Sequence, residues 1–149
     1  MIIRNAIQKD VPAIIDLCQA HAAFEKADFD TTNKVELLSA HLFHPDGLVK
    51  CLVVEFENDI AGYATYMRQF STWDAEFYIY LDCLYLKEKY RGQGLGKQLM
   101  QRIKADAKAL NCNMIQWQTP DFNEKAIRFY QKLGAISKSK ERFFWLVSD

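Results

Sequence analysis

Hydrophobic and polar positions alternate with two different periods along this chain, and the period changes mark its elements. Ile2–Ala6 reads as a short first strand, after which Asp10 is placed to cap a helix with Pro12 in its first turn. Ile14, Ile15, Leu17 and Cys18 lie on the apolar side of that helix, predicted to run to about Phe24. Val35, Leu38 and Leu42 recur at helical spacing and predict a shorter helix near Asn33–Phe43. The period then switches to two: Leu52–Phe56 and Ile60–Met67 flank Glu57-Asn58-Asp59, the pattern of a hairpin with a short polar turn. Phe77–Leu86 is apolar on both faces, as in a central strand covered by helices. From Gly94 onward Leu95, Leu99, Ile103 and Ala107 mark one face of a helix ending near Asn111. Met114–Gln118 follows as a strand, Asn123–Leu133 as a helix stopped by Gly134, and Ile136–Ser137 with Phe143–Val147 as a final strand pair. The predicted order is β-α-α-β-β-β-α-β-α-β-β, an α+β class with a mixed, mostly antiparallel sheet flanked by helices.

With 149 residues, half of them hydrophobic, one globular domain spanning 1–149 is expected. The longest apolar runs fall far short of a membrane span, and Met1-Ile2-Ile3-Arg4-Asn5 does not read as a signal peptide, so a cytoplasmic protein is expected. Cys18, Cys51, Cys83 and Cys112 are widely spaced within apolar or periodic segments and read as reduced core thiols. The net charge is zero, yet residues 1–80 carry 6 Lys or Arg against 12 Asp or Glu, and residues 81–149 carry 13 against 7. A basic half with Lys87, Lys89, Arg91, Lys97, Arg102 and Lys104 suits a polyanion; an acidic half suits a cationic ligand.

That basic half surrounds Tyr90-Arg91-Gly92-Gln93-Gly94-Leu95-Gly96-Lys97, which joins the apolar strand to the most regular helix. Glycines at alternate positions let the backbone turn tightly and point consecutive N–H groups into one concavity, to which the helix start adds partial positive charge. A Walker loop is excluded, because only three residues separate Gly92 from Gly96-Lys97 and Gln98 follows. A dinucleotide fingerprint is excluded by both the glycine spacing and the position late in the chain.

Arg91-x-x-Gly94-x-Gly96 resembles the acetyl-coenzyme A pyrophosphate loop of the GNAT superfamily of N-acetyltransferases, whose element order the predicted one matches. Asn123-Glu124-Lys125-Ala126-Ile127-Arg128-Phe129-Tyr130, continuing to Gly134-Ala135, resembles that family's Asn-x-x-Ala-x-x-Phe-Tyr-x-x-x-Gly segment. A narrower resemblance, to the diamine (spermidine/spermine) N-acetyltransferase branch, covers Cys51–Glu55, Phe70–Asp74 and Tyr80–Gly92. That branch carries two adjacent carboxylates before the loop. Here Asp82-Cys83 stands in their place, so thialysine, other small amines and antibiotic amines remain open beside polyamines.

The resemblance implies acetyl-CoA as cofactor and a homodimer. It assigns the N–H groups of Gly92, Gln93, Gly94, Leu95, Gly96 and Lys97 to the diphosphate, with Arg91 opening the loop and Gln93 and Lys97 adding side chains. Leu84, Tyr85 and Leu86 would lie along pantetheine. Asn123 suits either a helix N-cap or a place near the pantetheine. Tyr130 is the candidate proton donor to the departing thiolate, although an ordinary phenol at ~10 is a weaker acid than a thiol at ~8.5. Asp82, alone in an apolar strand, is the candidate base, direct or through water; a place at a strand bulge is its structural alternative. Glu25, Asp28, Asp30, Trp73, Asp74 and Glu76 are expected to rim the acceptor side, carboxylates and aromatic faces together suiting a small cationic amine.

His21 and His41-x-x-His44 lack the acid or thiol spacing of a metal site, and no metal is expected. No cysteine sits beside an electropositive turn as a nucleophile would. Nucleic-acid and membrane binding are not expected, the basic charge being gathered around one compact loop. Two classes remain: acetyl transfer to a primary amine by direct attack in a ternary complex, on a small molecule or on protein and peptide amines, and a sensor that binds acyl-CoA without turnover.

Overall fold

The computed structural model describes residues 1–148 and divides into two compact units, Met1–Gln118 and the segment from Thr119 onward. The first unit is built on five strands, β1 (Ile2–Asn5), β2 (Val49–Phe56), β3 (Asp59–Ser71), β4 (Glu76–Leu86) and β5 (Ile115–Gln116). They lie side by side in chain order; the first four are antiparallel and β5 is parallel to β4. Its helices are α1 (Val11–Phe24), α2 (Lys34–Leu42) and α3 (Leu95–Ala109), and α4 (Glu124–Lys132) belongs to the second unit.

Side chains alternate across the sheet, so paired residues divide into two faces. Cys51, Val53, Ile60 and Tyr63 form one core cluster with Ile14 and Leu17 of α1. Tyr66 points to the other face, where its hydroxyl donates to Asp106 of α3. Leu95, Leu99 and Ile103 of α3 are almost completely buried, each worth roughly 1.5–3 kcal/mol of burial. Residues Ile60–Tyr66 are all buried, on both faces, which makes β3 the centre of the unit. Glu57 and Asn58 close the β2–β3 hairpin with positive φ, 47° and 66°, the two-residue turn whose twist matches its strands.

Three expectations change. Asp10 does not cap α1: its buried carboxylate accepts from Arg4 Nη1 at 2.7 Å and from the Ile7 N–H at 2.8 Å, tying β1 to the 3₁₀ turn before the helix. The Met114–Gln118 strand shortens to two residues. The closing pair, Ile136–Ser137 with Phe143–Val147, is not formed, and residues 135–148 contain no strand. Its pattern is that of a strand, but a strand exists only with a ladder partner, and the described residues from Thr119 onward offer none. Trp145 is accordingly 94% exposed.

Candidate active site

The site is created by what happens to β4. Along one edge it pairs with β3 from Ser71↔Glu76 to Gly62↔Leu86; along the other it pairs with β5 only at Ile79 and Tyr80. Beyond Tyr80 the β5-side edge of β4 has no ladder partner among the described residues, leaving an opening that runs from Leu81 toward the glycine loop. Gly62 permits the close approach on the paired edge: a Cβ there would meet Leu86 Cδ2 at 2.4 Å and the Tyr85 carbonyl at 2.6 Å.

Within this edge Asp82 is a bulge. Thr65 pairs with Cys83 and Tyr66 with Leu81, so Asp82 has no partner and the side chains beyond it change faces. Cys83 and Tyr85 thereby join the Tyr63 face and pack against its core cluster. Asp82 itself is exposed, which corrects the expectation of a carboxylate enclosed in an apolar strand: the bulge turns it out to solvent. Its carboxylate accepts from the Cys83 thiol at 3.7 Å.

The loop after β4 turns through a 3₁₀ segment, Glu88–Tyr90, and then through Gly92 and Gly94 at φ +76° and +79°. A Cβ at either glycine would meet nothing within 4 Å, so both positions face open space and it is their backbone conformation that favours glycine. No side chain caps α3, and the first N–H of that helix bonded within it is that of Gln98, to the Gly94 carbonyl at 3.1 Å. The amides of Leu95, Gly96 and Lys97 thus remain as donors at a positive helix end. This donor set fits a diphosphate, and the open β4 edge leading to it fits an extended amide-bearing chain such as pantetheine.

Several predicted contacts have structural duties. Arg91 donates from Nε to the Leu86 carbonyl at 2.8 Å, and its guanidinium lies 5.0 Å from the Phe24 ring and 5.2 Å from that of Tyr85. Gln93 donates to the Lys89 carbonyl at 3.2 Å. Lys87 and Lys89 pair with Asp59 at 2.6 and 3.2 Å, bracing the loop on the β2–β3 hairpin; Lys97 has no ion pair among the described residues. In the second unit Asn123 performs the capping role, its side-chain oxygen accepting from the Ala126 N–H at 3.2 Å, and Tyr130 lies half-buried on α4 beside the Phe129 ring.

The acidic candidates separate into two groups. Glu25 meets His21 within the cluster that faces Cys83 and Tyr85, while Asp28 and Asp30 are exposed beyond the end of α1. Trp73, Asp74 and Glu76 belong to the β3–β4 turn, six residues along β4 from Asp82, on the order of 20 Å away. There Asp74 accepts from Ser71 and Glu76 from Asn113, beside a shallow open depression also lined by Phe77 and Met114.

His21 adjoins Glu25 and Tyr85, and Tyr63 adjoins His21; by sequence His21 is weighed only as a metal ligand and Tyr63 is not singled out. His21 Nδ1 lies 3.2 Å from the Tyr63 hydroxyl and Nε2 lies 3.3 Å from Glu25 Oε2. Its ring stacks on Tyr85 at 5.3 Å. Burial lowers the His21 pKa below the ordinary imidazole value, against the attraction of Glu25 and Asp82. Burial, aided by the Cys83 and Cys18 thiols, drives the Tyr63 phenol far above its ordinary value. The signal was present: Ile14, Leu17, His21 and Glu25 follow helical spacing down the buried face of α1. The described residues hold no metal-binding group of side chains, and no helix among them is long and apolar enough to cross a membrane.

Comparison with known proteins agrees with this geometry. The model of the Acetyltransferase (GNAT) family matches residues 14–135. The chain is 30% identical over 143 residues to thialysine N-epsilon-acetyltransferase of Bos taurus, covering 91% of this chain and 84% of that protein. It is also 30% identical over 128 residues to spermine/spermidine N(1)-acetyltransferase of Bacillus subtilis, covering 82% and 78%. A crystallised tetramutant protein from Bacillus halodurans superposes with a TM-score of 0.81 at 25% identity, covering 98% of this chain and 100% of that one. A split β4 edge, an uncapped helix after a glycine turn and a family match across most of the chain converge: this protein belongs to the GNAT family and is an N-acetyltransferase.

Proposed function

We propose that this protein transfers an acetyl group from acetyl-CoA to the primary amine of a small cationic molecule, of the polyamine or lysine/thialysine kind, by direct attack within a ternary complex. The observation that carries this reading is the unpaired β4 edge running from Leu81 into the glycine cradle. Acetyl-CoA, when bound, supplies the activated acyl group. The amides of Gly92 to Lys97 would hold its diphosphate, the Leu84–Leu86 edge would hold its amide-bearing arm, and an N–H near Leu84 would polarise the reacting carbonyl. Tyr130 is assigned as donor to the leaving sulfur by the family motif it occupies. An ordinary phenol transfers that proton uphill by roughly 2 kcal/mol, so its work is mainly a hydrogen bond strengthened as charge develops.

Acceptor choice follows from the acids. Glu25 and the exposed Asp82 give a cation a destination on the Tyr63 face, and relatives named for thialysine and for spermine/spermidine support the class. As proton acceptor, an ordinary carboxylate lies about 6.5 pKa units below an ammonium of ~10.4, so Asp82 in this role works through water or with a stronger base. Release of free thiol from acetyl-CoA, measured against spermidine, putrescine, thialysine and a peptide N-terminus, tests the reading. Turnover with the small diamines or thialysine and little with the peptide is expected. Turnover confined to the peptide would replace the substrate class, and tight coenzyme binding without thiol release would make the protein a sensor. Tyr130→Phe should lower kcat far more than coenzyme affinity.

A further inference from the structure

Ordinary carboxylates are weak bases toward an ammonium, and the imidazole of His21 touches Glu25 and feels the charge of Asp82. His21 keeps 16% of its side chain exposed and Glu25 31%, so the pair is reachable from outside while the Tyr63 hydroxyl behind it is sealed, Tyr63 being 1% exposed. The groups facing His21 are Glu25 at the C-cap of its own helix, Tyr63 on β3, Asp82 and Tyr85 on β4, and Arg91 in the loop; the thiols of Cys18 and Cys83 adjoin Tyr63. We propose that His21 takes the proton of the acceptor ammonium, with Glu25 and Asp82 compensating the charge that arrives on the ring. This rests on the amine-acetylation reading above.

The hydrogen bonds leave room for one added proton. Tyr63 stays a phenol, its ionisation opposed by burial. In the tautomer whose Nδ1–H donates to the Tyr63 oxygen, the Nε2 lone pair and the Glu25 carboxylate face each other at 3.3 Å as two acceptors, and a bound ammonium satisfies both by donating one N–H to each. In the transfer an N–H bond of the ammonium breaks and an Nε2–H bond forms. The electron pair left on the amine nitrogen is then free to attack the acyl carbon. The ring becomes an imidazolium with both N–H groups placed, Nδ1 toward Tyr63 and Nε2 toward Glu25, and returns its proton to water after turnover. An ordinary imidazole, at ~6.5, accepts an ammonium proton about 400-fold more favourably than an ordinary aspartate at ~3.9. Burial narrows that margin and Glu25 restores part of it. Tyr85, stacked on the ring, and Arg91, over Tyr85, hold the imidazole against β4.

The test combines the pH profile of kcat/KM for the best amine with an NMR titration of the histidine ring protons in the full chain. His21→Gln, which can still hydrogen-bond Tyr63 but cannot titrate, should lose roughly 100-fold in kcat/KM and the acid limb of the profile. Glu25→Gln should move the acid limb and the NMR-measured His21 pKa to lower pH together, since the imidazolium loses its counter-ion. If His21→Gln does not fold, the matched shifts in Glu25→Gln decide the question alone. A wild-type protein that acetylates amines while His21→Gln keeps its rate and acid limb within about twofold overturns His21 as base and leaves the acetyltransferase reading standing. So does a Glu25→Gln variant in which limb and titration part company. A wild-type protein that binds coenzyme A and acetylates no amine overturns both.

Discussion

The two edges of β4 are made from one run of residues and serve opposite ends. Toward β3 the strand is paired along its length and packed so closely at Gly62 that no side chain fits there. Toward β5 it pairs at Ile79 and Tyr80 and then lies open. The first edge fixes where the backbone of Leu84–Leu86 lies; the second keeps that backbone available. An open strand edge is ordinarily a liability that invites aggregation. Here the bulge at Asp82 turns the strand, and after Leu86 the chain leaves the sheet through the 3₁₀ turn Glu88–Tyr90, so the open stretch stays short.

The largest effect is expected at the paired edge. Gly62→Val would force a Cβ to 2.6 Å from the Tyr85 carbonyl, a backbone atom that cannot rotate away. Overpacking of this kind costs about 3 kcal/mol, which for a chain of this size lowers Tm by roughly 10 °C. Thermal melts followed by circular dichroism check it. A loss under about 1 kcal/mol would mean that the β3–β4 edge yields, and that it does not fix the open one.

Gly94→Ala addresses the other edge and should separate stability from binding. At φ +79° an alanine costs about 1.5 kcal/mol of backbone strain, yet its methyl meets no protein atom within 4 Å. The methyl enters the concavity assigned to the diphosphate, so coenzyme A affinity, measured by calorimetry, should fall about tenfold, beyond what the modest loss of stability accounts for. Unchanged affinity would remove the loop from the binding site.

These two glycines also show what was legible in the sequence. Gly94 announced itself, because glycines at alternate positions between an apolar run and a periodic helix have few other uses. Gly62 did not, since a glycine inside a strand pattern does not reveal which neighbour presses on it. The elements up to α4 were readable for a similar reason, each being declared by its own period. The split between β4 and β5 was not, because register belongs to pairs of segments; the bulge at Asp82 was legible only as an alternative, since a lone acid in an apolar strand fits either a buried base or a bulge. Phe143–Val147 carries a strand pattern without a partner to complete it. His21 lay on the apolar face of α1 in plain view, but its worth depends on Tyr63, forty-two residues away in sequence. Trp73, Asp74 and Glu76 share with Glu25 the carboxylate and aromatic character that suits a cation, but composition carries no distance, and the length of β4 separates them from Asp82.

A smaller effect is expected where the sheet holds α3. Tyr66→Phe removes the hydroxyl that donates to Asp106 while the ring stays buried, and Arg102 still reaches Asp106 at 3.2 Å. The loss should be about 1 kcal/mol by urea denaturation, with an unchanged slope. Coenzyme affinity should follow stability only weakly, because the amides of the α3 N-terminus are positioned by the glycine turn more directly than by Asp106, more than two turns along the helix.

The smallest expected change is Asp59→Asn, at the brace between the β2–β3 hairpin and the loop. Hydrogen bonding from Lys87, opposed by partial burial and aided by Tyr90 and Lys89, holds the Asp59 carboxylate below its ordinary pKa. A group whose pKa is lowered on folding contributes its full share above the unfolded value of ~3.9 and loses it as pH falls through the folded one. Asp59 is 37% exposed, so screening limits that share to a few tenths of a kcal/mol. Wild type should therefore exceed Asp59→Asn slightly in Tm at pH 7, and the gap should close on acidification below about pH 4 or on adding salt. A gap that persisted at pH 3 and high salt would assign the brace to the hydrogen bond from Tyr90 rather than to the two lysines. The loop would then be tethered to β3 by neutral contacts, leaving the charge of Lys87 and Lys89 available to the open edge.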